Sequence, residues 1–311
     1  MIYIKFAMGL FLLAFGGNIM VSGAVSLARR MGVSALLIGL TLVGFGTSTP
    51  ELVTSLLAAF EKSDGIAVGN VVGSNIANIL LVLGAAAVIH PVAIDVKSFR
   101  RDSLFLILST AGLILTALFG QINRFSGALL VGVLIYYVIY SYRSEKQQTG
   151  NLASHEKTDE PVLKPLVKTI SGIALTLVGA KLLVDSAIVL ARFWGVSEAI
   201  IGLTIVAVGT SLPELATSVI ASARRQNDVA FGNVVGSNIY NALFILGLTA
   251  FFIPVTIQPQ MMRDIALMSV VTALLVGFAF IKRQISRRTG GLFLALYALY
   301  IFYCYGMESL L

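Results

Sequence analysis

The chain has 311 residues, of which 57% are hydrophobic and only 12% are charged, whereas soluble domains carry about 25% charged residues. This composition excludes an ordinary soluble protein and is typical of a protein that crosses a membrane. The net charge of +7 does not require a nucleic-acid partner, because the basic residues form short clusters between apolar runs, where they orient a membrane protein. The single cysteine, Cys304, excludes an intramolecular disulfide and a cysteine-based metal site.

Ten apolar runs follow one another along the chain, each long enough for a helix that crosses a hydrocarbon core about 30 Å thick. They cover residues 6–28, 33–58, 66–89, 102–119, 126–142, 166–190, 196–221, 230–252, 264–281 and 291–306. We therefore predict an all-α integral membrane protein with ten transmembrane helices. The first run is predicted to be a span rather than a signal peptide, because it has a counterpart later in the chain.

The sequence repeats itself at a spacing of 163 residues. Residues 41–84 align without gaps on residues 204–247, and 24 of the 44 aligned pairs are identical. Such a repeat predicts two structurally related halves of five spans each. We assign residues 1–142 to the first half and residues 166–311 to the second. Residues 143–165 are polar and of mixed charge, so we interpret them as a linker.

The basic residues predict how the two halves are oriented. Five spans is an odd number, so the second half enters the membrane from the side opposite to the first. With the amino terminus outside, the predicted cytoplasmic segments hold sixteen Lys and Arg residues and the outer segments hold five. Because basic residues mark the cytoplasmic side, we predict an inverted repeat in the cell's inner or plasma membrane, with both termini outside and the linker in the cytoplasm.

Each half places one carboxylate inside a predicted span, in the motifs GTSTPE (46–51) and GTSLPE (209–214). Exposing an ionised side chain to lipid costs at least ~2.5 kcal/mol, so such residues face the protein interior or an aqueous cavity. A pseudo-two-fold axis between the halves would bring Glu51 and Glu214 together near the membrane midplane.

The residues around the two glutamates favour a cation as their partner. Pro50 and Pro213 lack an amide hydrogen and loosen the preceding helical turn, which frees main-chain carbonyls. Freed carbonyls are tolerated at this depth where they line a cavity or bind an ion. Hydroxyl groups also precede each glutamate on the same helical face. They belong to Thr47, Ser48, Thr210 and Ser211.

The next predicted span of each half carries a polar stripe with one residue at every fourth position. The stripes consist of Asn70, Ser74 and Asn78 in the first half and Asn233, Ser237 and Asn241 in the second. Hydrogen bonding between helices would explain them, but their association with a carboxylate motif favours cation ligands. The neighbouring small-xxx-small glycines fit close helix packing.

The motif pairs GTSTPEL with GNVVGSNIANIL, and GTSLPEL with GNVVGSNIYNAL, resemble the two alpha repeats of the sodium/calcium exchanger family in the calcium/cation antiporter superfamily. The resemblance is to the prokaryotic type and implies two inverted five-helix halves that exchange Ca²⁺ for Na⁺ by alternating access. It implies a Ca²⁺ site from the Glu51 and Glu214 side chains and the Thr47 and Thr210 carbonyls. The implied Na⁺ ligands are Glu51, Ser48, Ser237 and the Gly44 carbonyl in one site, and Glu214, Ser211, Ser74 and the Ala207 carbonyl in another.

The resemblance also places Asn78 and Asn241 in the middle of the cavity and suggests spans one and six as gating helices. Many members of the family have aspartate where this chain has Asn241. An amide there leaves two formal negative charges, enough to neutralise one Ca²⁺, but leaves the ion selectivity open.

Two other functions were weighed. The same fold coupled to H⁺ or K⁺ instead of Na⁺ is the nearest alternative, since buried glutamates can carry protons. An intramembrane hydrolase with paired carboxylates is a poor fit, because no nucleophile or HExxH motif accompanies them. We therefore expect a transporter rather than an enzyme, with Ca²⁺ and Na⁺ as substrates, no cofactor and no obligatory protein partner. Lys181 and Asp185, four residues apart within a span, are interpreted as a structural ion pair.

Overall fold

A computed structural model describes residues 2–149, 161–195, 207–259 and 261–308. Almost all of this part is helical. The helices are α1 (Ile2–Met31), α2 (Ala35–Thr47), α3 (Thr49–Phe60), α4 (Asp64–Ile89), α5 (Val96–Leu118), α6 (Arg124–Thr149), α7 (Leu163–Phe193), α8 (Ala207–Gly209), α9 (Leu212–Ala223), α10 (Asn227–Phe252), α11 (Met261–Lys282) and α12 (Arg287–Glu308). Four two-residue strands lie between helices, namely β1 (Val92–Ala93), β2 (Gln121–Ile122), β3 (Val255–Thr256) and β4 (Gln284–Ile285).

Long apolar helices dominate the described part of the chain. Seven of them have the length and composition to cross a membrane, and α2 with α3 forms an eighth candidate that bends by 45°. Helices α4 and α10 lie at the centre, with 72% and 83% of their apolar windows buried, against 28–44% for the other five. The helical membrane architecture is as expected, but the count of ten spans stays a prediction, since residues 196–206 lie outside the described residues.

The turns repeat at the same spacing as the sequence. Within the described residues, six have a left-handed backbone, and they form three pairs 163 residues apart: Gly32 with Gly195, Lys62 with Arg225, and Gly120 with Arg283. Three of the six are not glycine, although a left-handed backbone is costly for a residue with a Cβ. The same turns therefore end equivalent helices in both halves.

The short strands join the two halves reciprocally. Strand β1 pairs antiparallel with β4, so that Val92 lies opposite Ile285, and β2 pairs with β3, so that Ile122 lies opposite Val255. Shifting the first pairing by the repeat spacing in both directions generates the second. The two halves are thus related by a pseudo-two-fold operation in the described part of the structure.

Equivalent helices α1 and α7 pack against each other in opposite directions. Gly9 of α1 lies beside Leu183 of α7, whereas Gly23, further along α1, lies beside Thr169, nearer the start of α7. Glycines make the close approach possible, because a Cβ on Gly172 would lie 2.4 Å from the Met20 nitrogen. Small residues at such contacts are typical of membrane helices.

A buried polar network anchors the start of α2. The Ser34 amide and hydroxyl donate to the two carboxylate oxygens of Glu145, each at 2.8 Å, and the same hydroxyl caps α2 by accepting from the Leu37 amide. Arg101 donates to Glu145 at 3.3 Å and to Asp102 at 2.7 Å. The network ties the helix that carries the first carboxylate motif to α5 and α6.

The ends of the predicted linker and one predicted ion pair need comment. Helix α6 continues to Thr149 and α7 begins at Leu163, so both ends of segment 143–165 are helical. The interpretation of Lys181 and Asp185 as an ion pair is wrong, since both side chains are exposed and no contact of 4.0 Å or less joins them. They lie on the outward face of α7, where nothing in the described structure holds them together.

Candidate functional site

The helical chain breaks where the sequence places the first motif. Helix α2 ends at Thr47, Ser48 has a non-helical backbone (φ −81°, ψ 10°), and α3 starts at Thr49. Pro50 lies in the first turn of α3, where its missing N–H costs no helical hydrogen bond. The prediction that this motif interrupts its span is confirmed.

The second motif has the same local structure. Helix α8 stops at Gly209, Ser211 has φ −87° and ψ 4°, and Pro213 lies in the first turn of α9. Ser211 is buried and Thr210 is partly exposed, whereas Thr47 and Ser48 of the first copy are both buried. Ala207 begins α8, directly after residues that the structure does not describe.

Glu51 and Glu214 are each only 1% exposed. They lie close enough for their charges to interact. The Ser48 hydroxyl donates to Glu214 Oε1 at 3.0 Å, so the first motif reaches the carboxylate of the second. The structure therefore brings the two motifs together, as the repeat predicts.

Two asparagines fix the main chain of the glutamates. Asn70 Nδ2 donates to the Glu51 carbonyl at 3.0 Å and to the Ser55 hydroxyl at 2.9 Å. Asn233 Nδ2 makes the equivalent bonds, to the Glu214 carbonyl at 3.3 Å and to Ser218 at 2.9 Å. For these two members of the polar stripes, hydrogen bonding between helices is therefore the observed role.

The lower members of the stripes form a second reciprocal set at the crossing of α4 and α10. Asn78 Nδ2 donates to Asn238 Oδ1 at 3.1 Å, and Asn241 Nδ2 donates to Asn75 Oδ1 at 3.0 Å. Asn78 and Asn241 also begin π-helical turns in the two helices, a local widening that is frequent at functional sites. Asn75 and Asn238 were missed by the sequence reasoning, although the tripeptide SNI is identical in both repeats.

Several predicted site residues carry buried oxygens without a hydrogen-bond partner in the described structure. They are Glu51 Oε2, Asn78 Oδ1, Ser211 Oγ, Glu214 Oε2, Ser237 Oγ and Asn241 Oδ1. Buried polar atoms are otherwise almost always paired, because an unmet hydrogen bond costs about 1–3 kcal/mol. Four of these six are carboxylate or amide oxygens that can only accept, so they call for a cation or a donor.

Helix packing brings further predicted residues into this region. A Cβ on Gly44 would lie 3.2 Å from the Ser237 nitrogen, so these two residues of one predicted Na⁺ site are adjacent. Gly236 likewise contacts the main chain of Leu40. Ser74 is buried in α4, but no printed contact joins it to the second motif. Packing is thus an observed role for Gly236, as the small-xxx-small pattern suggests.

The donor chemistry of the region consists of hard oxygens. No group of three or more His, Cys, Asp and Glu side chains that could hold a metal occurs in the ranges that the structure describes. Two carboxylates, hydroxyls, amide oxygens and carbonyls remain, which is the ligand type that Ca²⁺ prefers. The arrangement suits a hard cation that exchanges rather than a permanently bound transition metal.

Comparison with known proteins identifies the family. The model of the sodium/calcium exchanger protein family matches residues 1–143 and 164–306. The chain belongs to the sodium/calcium exchanger family. The sodium/calcium exchanger MaX1 of Methanosarcina acetivorans is 30% identical over 334 residues, which cover 94% of this chain and 95% of MaX1. The inner membrane protein YrbG of Escherichia coli (strain K12) is 37% identical over 275 residues, or 85% of this chain and 84% of YrbG.

A solved structure of a member of this family has the same fold. The sodium-calcium exchanger NCX_Mj superimposes with a TM-score of 0.85 at 34% sequence identity, covering 97% of this chain and 98% of that chain. The family consists of antiporters, so a transporter role rather than catalysis is supported. The hydrolase alternative gains no support from the site or from these relatives.

Proposed function

We propose that the protein exchanges Ca²⁺ for Na⁺ across the membrane by alternating access. The observation that carries the proposal is the set of unpartnered buried oxygens on Glu51, Glu214 and the polar residues around them. Glu51, Glu214 and the Thr47 and Thr210 carbonyls would hold Ca²⁺. Na⁺ would bind on either side, through Ser48, Ser237 and the Gly44 carbonyl, or through Ser211, Ser74 and the Ala207 carbonyl.

The charge of the site gives the exchange its logic. Two buried carboxylates carry two negative charges, which one Ca²⁺ or more than one Na⁺ neutralises. An empty cavity leaves both charges uncompensated in a dry environment, and charges buried without a partner are costly. Because both ions need the same oxygens, binding of one excludes the other, and the carrier changes its exposed side only when loaded.

We also propose the arrangement of the chain in the membrane. The two halves, 1–142 and 166–311, would be inverted five-span repeats with both termini outside and segment 143–165 in the cytoplasm. The antiparallel packing of α1 on α7 supports this, because equivalent helices of inverted repeats run in opposite directions. The glycine-lined contact between α1 and α7 also suits helices that slide as the site changes its exposed side.

Uptake into proteoliposomes tests the exchange. Vesicles loaded with Na⁺ should accumulate radiolabelled Ca²⁺ when diluted into Na⁺-free buffer, and equal outward H⁺ or K⁺ gradients should drive little uptake. Uptake that follows the H⁺ or K⁺ gradient and ignores Na⁺ would assign the other counter-ion. Lack of Ca²⁺ uptake under all three gradients would refute the proposal.

Matched variants test the carboxylates. Glu51→Gln and Glu214→Gln keep the shape of the side chain but remove one charge each, so Ca²⁺ affinity should fall by at least about tenfold, or about 1.4 kcal/mol. Glu61→Gln is the control, because Glu61 is exposed at the end of α3. Normal exchange by either of the first two variants would exclude that glutamate as a ligand.

A further inference from the structure

Asn75 lies between two acceptors and one donor at the crossing of α4 and α10. Its Nδ2 faces the main-chain oxygen of Asn238 at 3.4 Å and the sulfur of Met268 at 3.5 Å. Its Oδ1 accepts from Asn241 Nδ2 at 3.0 Å. Asn75 is 3% exposed and Asn241 is fully buried, so water does not compete for these bonds.

The neighbours of Asn75 determine which way its amide points. A main-chain carbonyl and a thioether sulfur cannot donate a hydrogen bond, so the NH₂ end of Asn75 must face them. The oxygen end of Asn75 is then left facing residue 241. Only a side chain that donates can satisfy it there.

This orientation also fixes Asn241. Its NH₂ group is turned to Asn75, and its Oδ1 has no hydrogen-bond partner in the described structure. Oxygen rather than nitrogen is therefore the end of the amide left available to a cation. A carboxylate at position 241 would instead place an oxygen about 3 Å from Asn75 Oδ1, with no proton between them.

We propose that Asn75 is a positioning residue that makes Asn241 an uncharged oxygen ligand and so limits the site to two negative charges. The inference rests on the proposed cation exchange, in which Asn241 lines the ion cavity. Neighbours that orient a metal ligand in this way commonly contribute 10–100-fold to metal affinity. Asn75 thereby shapes selectivity without touching the ion.

The other half lacks an equivalent anchor, which is why Asn75 is chosen over its repeat counterpart. Asn238 Oδ1 accepts from Asn78 Nδ2, but Asn238 Nδ2 has no partner in the described structure. Nothing therefore prevents the Asn238 amide from turning over. Only the pair of Asn75 and Asn241 has a defined orientation.

Equilibrium binding of Ca²⁺ to the purified full-length protein tests the inference through a double-mutant cycle. Asn75→Leu should raise the Ca²⁺ dissociation constant roughly 10–100-fold, and it should cause no further rise in an Asn241→Ala background, because Asn75 acts only through Asn241. Asn75→Ala, which only removes atoms, serves if the leucine variant does not fold. Thr110→Val is the control, since it removes a buried hydrogen bond confined to α5.

The outcomes separate this inference from the proposed exchange. If wild type binds and exchanges Ca²⁺ but both Asn75 variants bind it normally, or if the effects at 75 and 241 simply add, the positioning role is wrong and the exchange stands. If the wild-type protein neither binds nor exchanges Ca²⁺, the proposed function fails first.

Discussion

Replacing Gly172 with alanine tests the close contact of α1 with α7. The added Cβ would lie 2.4 Å from the nitrogen and 2.6 Å from the Cα of Met20, whereas ordinary contacts begin at 3.4 Å. The helices must separate locally by roughly 1 Å, because the atoms in the way belong to the main chain. Overpacking of this kind costs about 3 kcal/mol at the upper end of its usual range. Alanine recovers about 1 kcal/mol through its higher helix propensity, which leaves a net loss of about 2 kcal/mol.

Thermal unfolding of the detergent-purified protein measures this loss. Gly172→Ala should lower the melting temperature by roughly 3–5 °C. Gly132→Ala is the matched control, because Gly132 is exposed in the middle of α6 and a Cβ there meets no atom of the described structure within 4 Å. The control should be neutral or slightly stabilising. Equal or higher stability of Gly172→Ala compared with Gly132→Ala would refute the close-packed contact.

Two further predictions concern the polar anchors. Ser34→Ala removes the cap of α2 and its bond to Glu145, so the unfolding free energy should fall by about 1–2 kcal/mol; an unchanged midpoint in chemical denaturation would contradict this role. Asn70→Leu and Asn233→Leu release the main chain of the two glutamates, so each should weaken Ca²⁺ binding by about tenfold or more. Unaltered Ca²⁺ affinity in both leucine variants would show that these bonds do not position the carboxylates.

Features that depend on neighbouring residues were well predicted from the sequence. The break at Ser48 follows from Pro50, whose ring excludes the preceding turn from a regular helix. The repeat at a spacing of 163 residues predicted equivalent turns, such as those at Lys62 and Arg225, because the same local sequence meets the same physical constraints. The membrane architecture followed from composition alone.

Contacts between distant segments could not be predicted in the same way. Helical periodicity indicates which face a side chain occupies, but not its partner on another helix. Ser48 was therefore expected beside Glu51, whereas its hydroxyl also reaches Glu214 across the pseudo-two-fold. The bond from Ser34 to Glu145 joins residues 111 positions apart and falls in a segment interpreted as a linker. Lys181 and Asp185 show the converse error, since correct spacing did not produce a contact.

The central claim is that Glu51 and Glu214 form one site for which Ca²⁺ and Na⁺ compete. Equilibrium dialysis of radiolabelled Ca²⁺ against the purified protein at increasing Na⁺ concentrations, with K⁺ keeping the ionic strength constant, measures this directly. Bound Ca²⁺ should fall as Na⁺ rises, and Glu51→Gln and Glu214→Gln should each bind much less Ca²⁺ than Glu61→Gln. Ca²⁺ binding that is indifferent to Na⁺, or that persists in both site variants, would contradict the account.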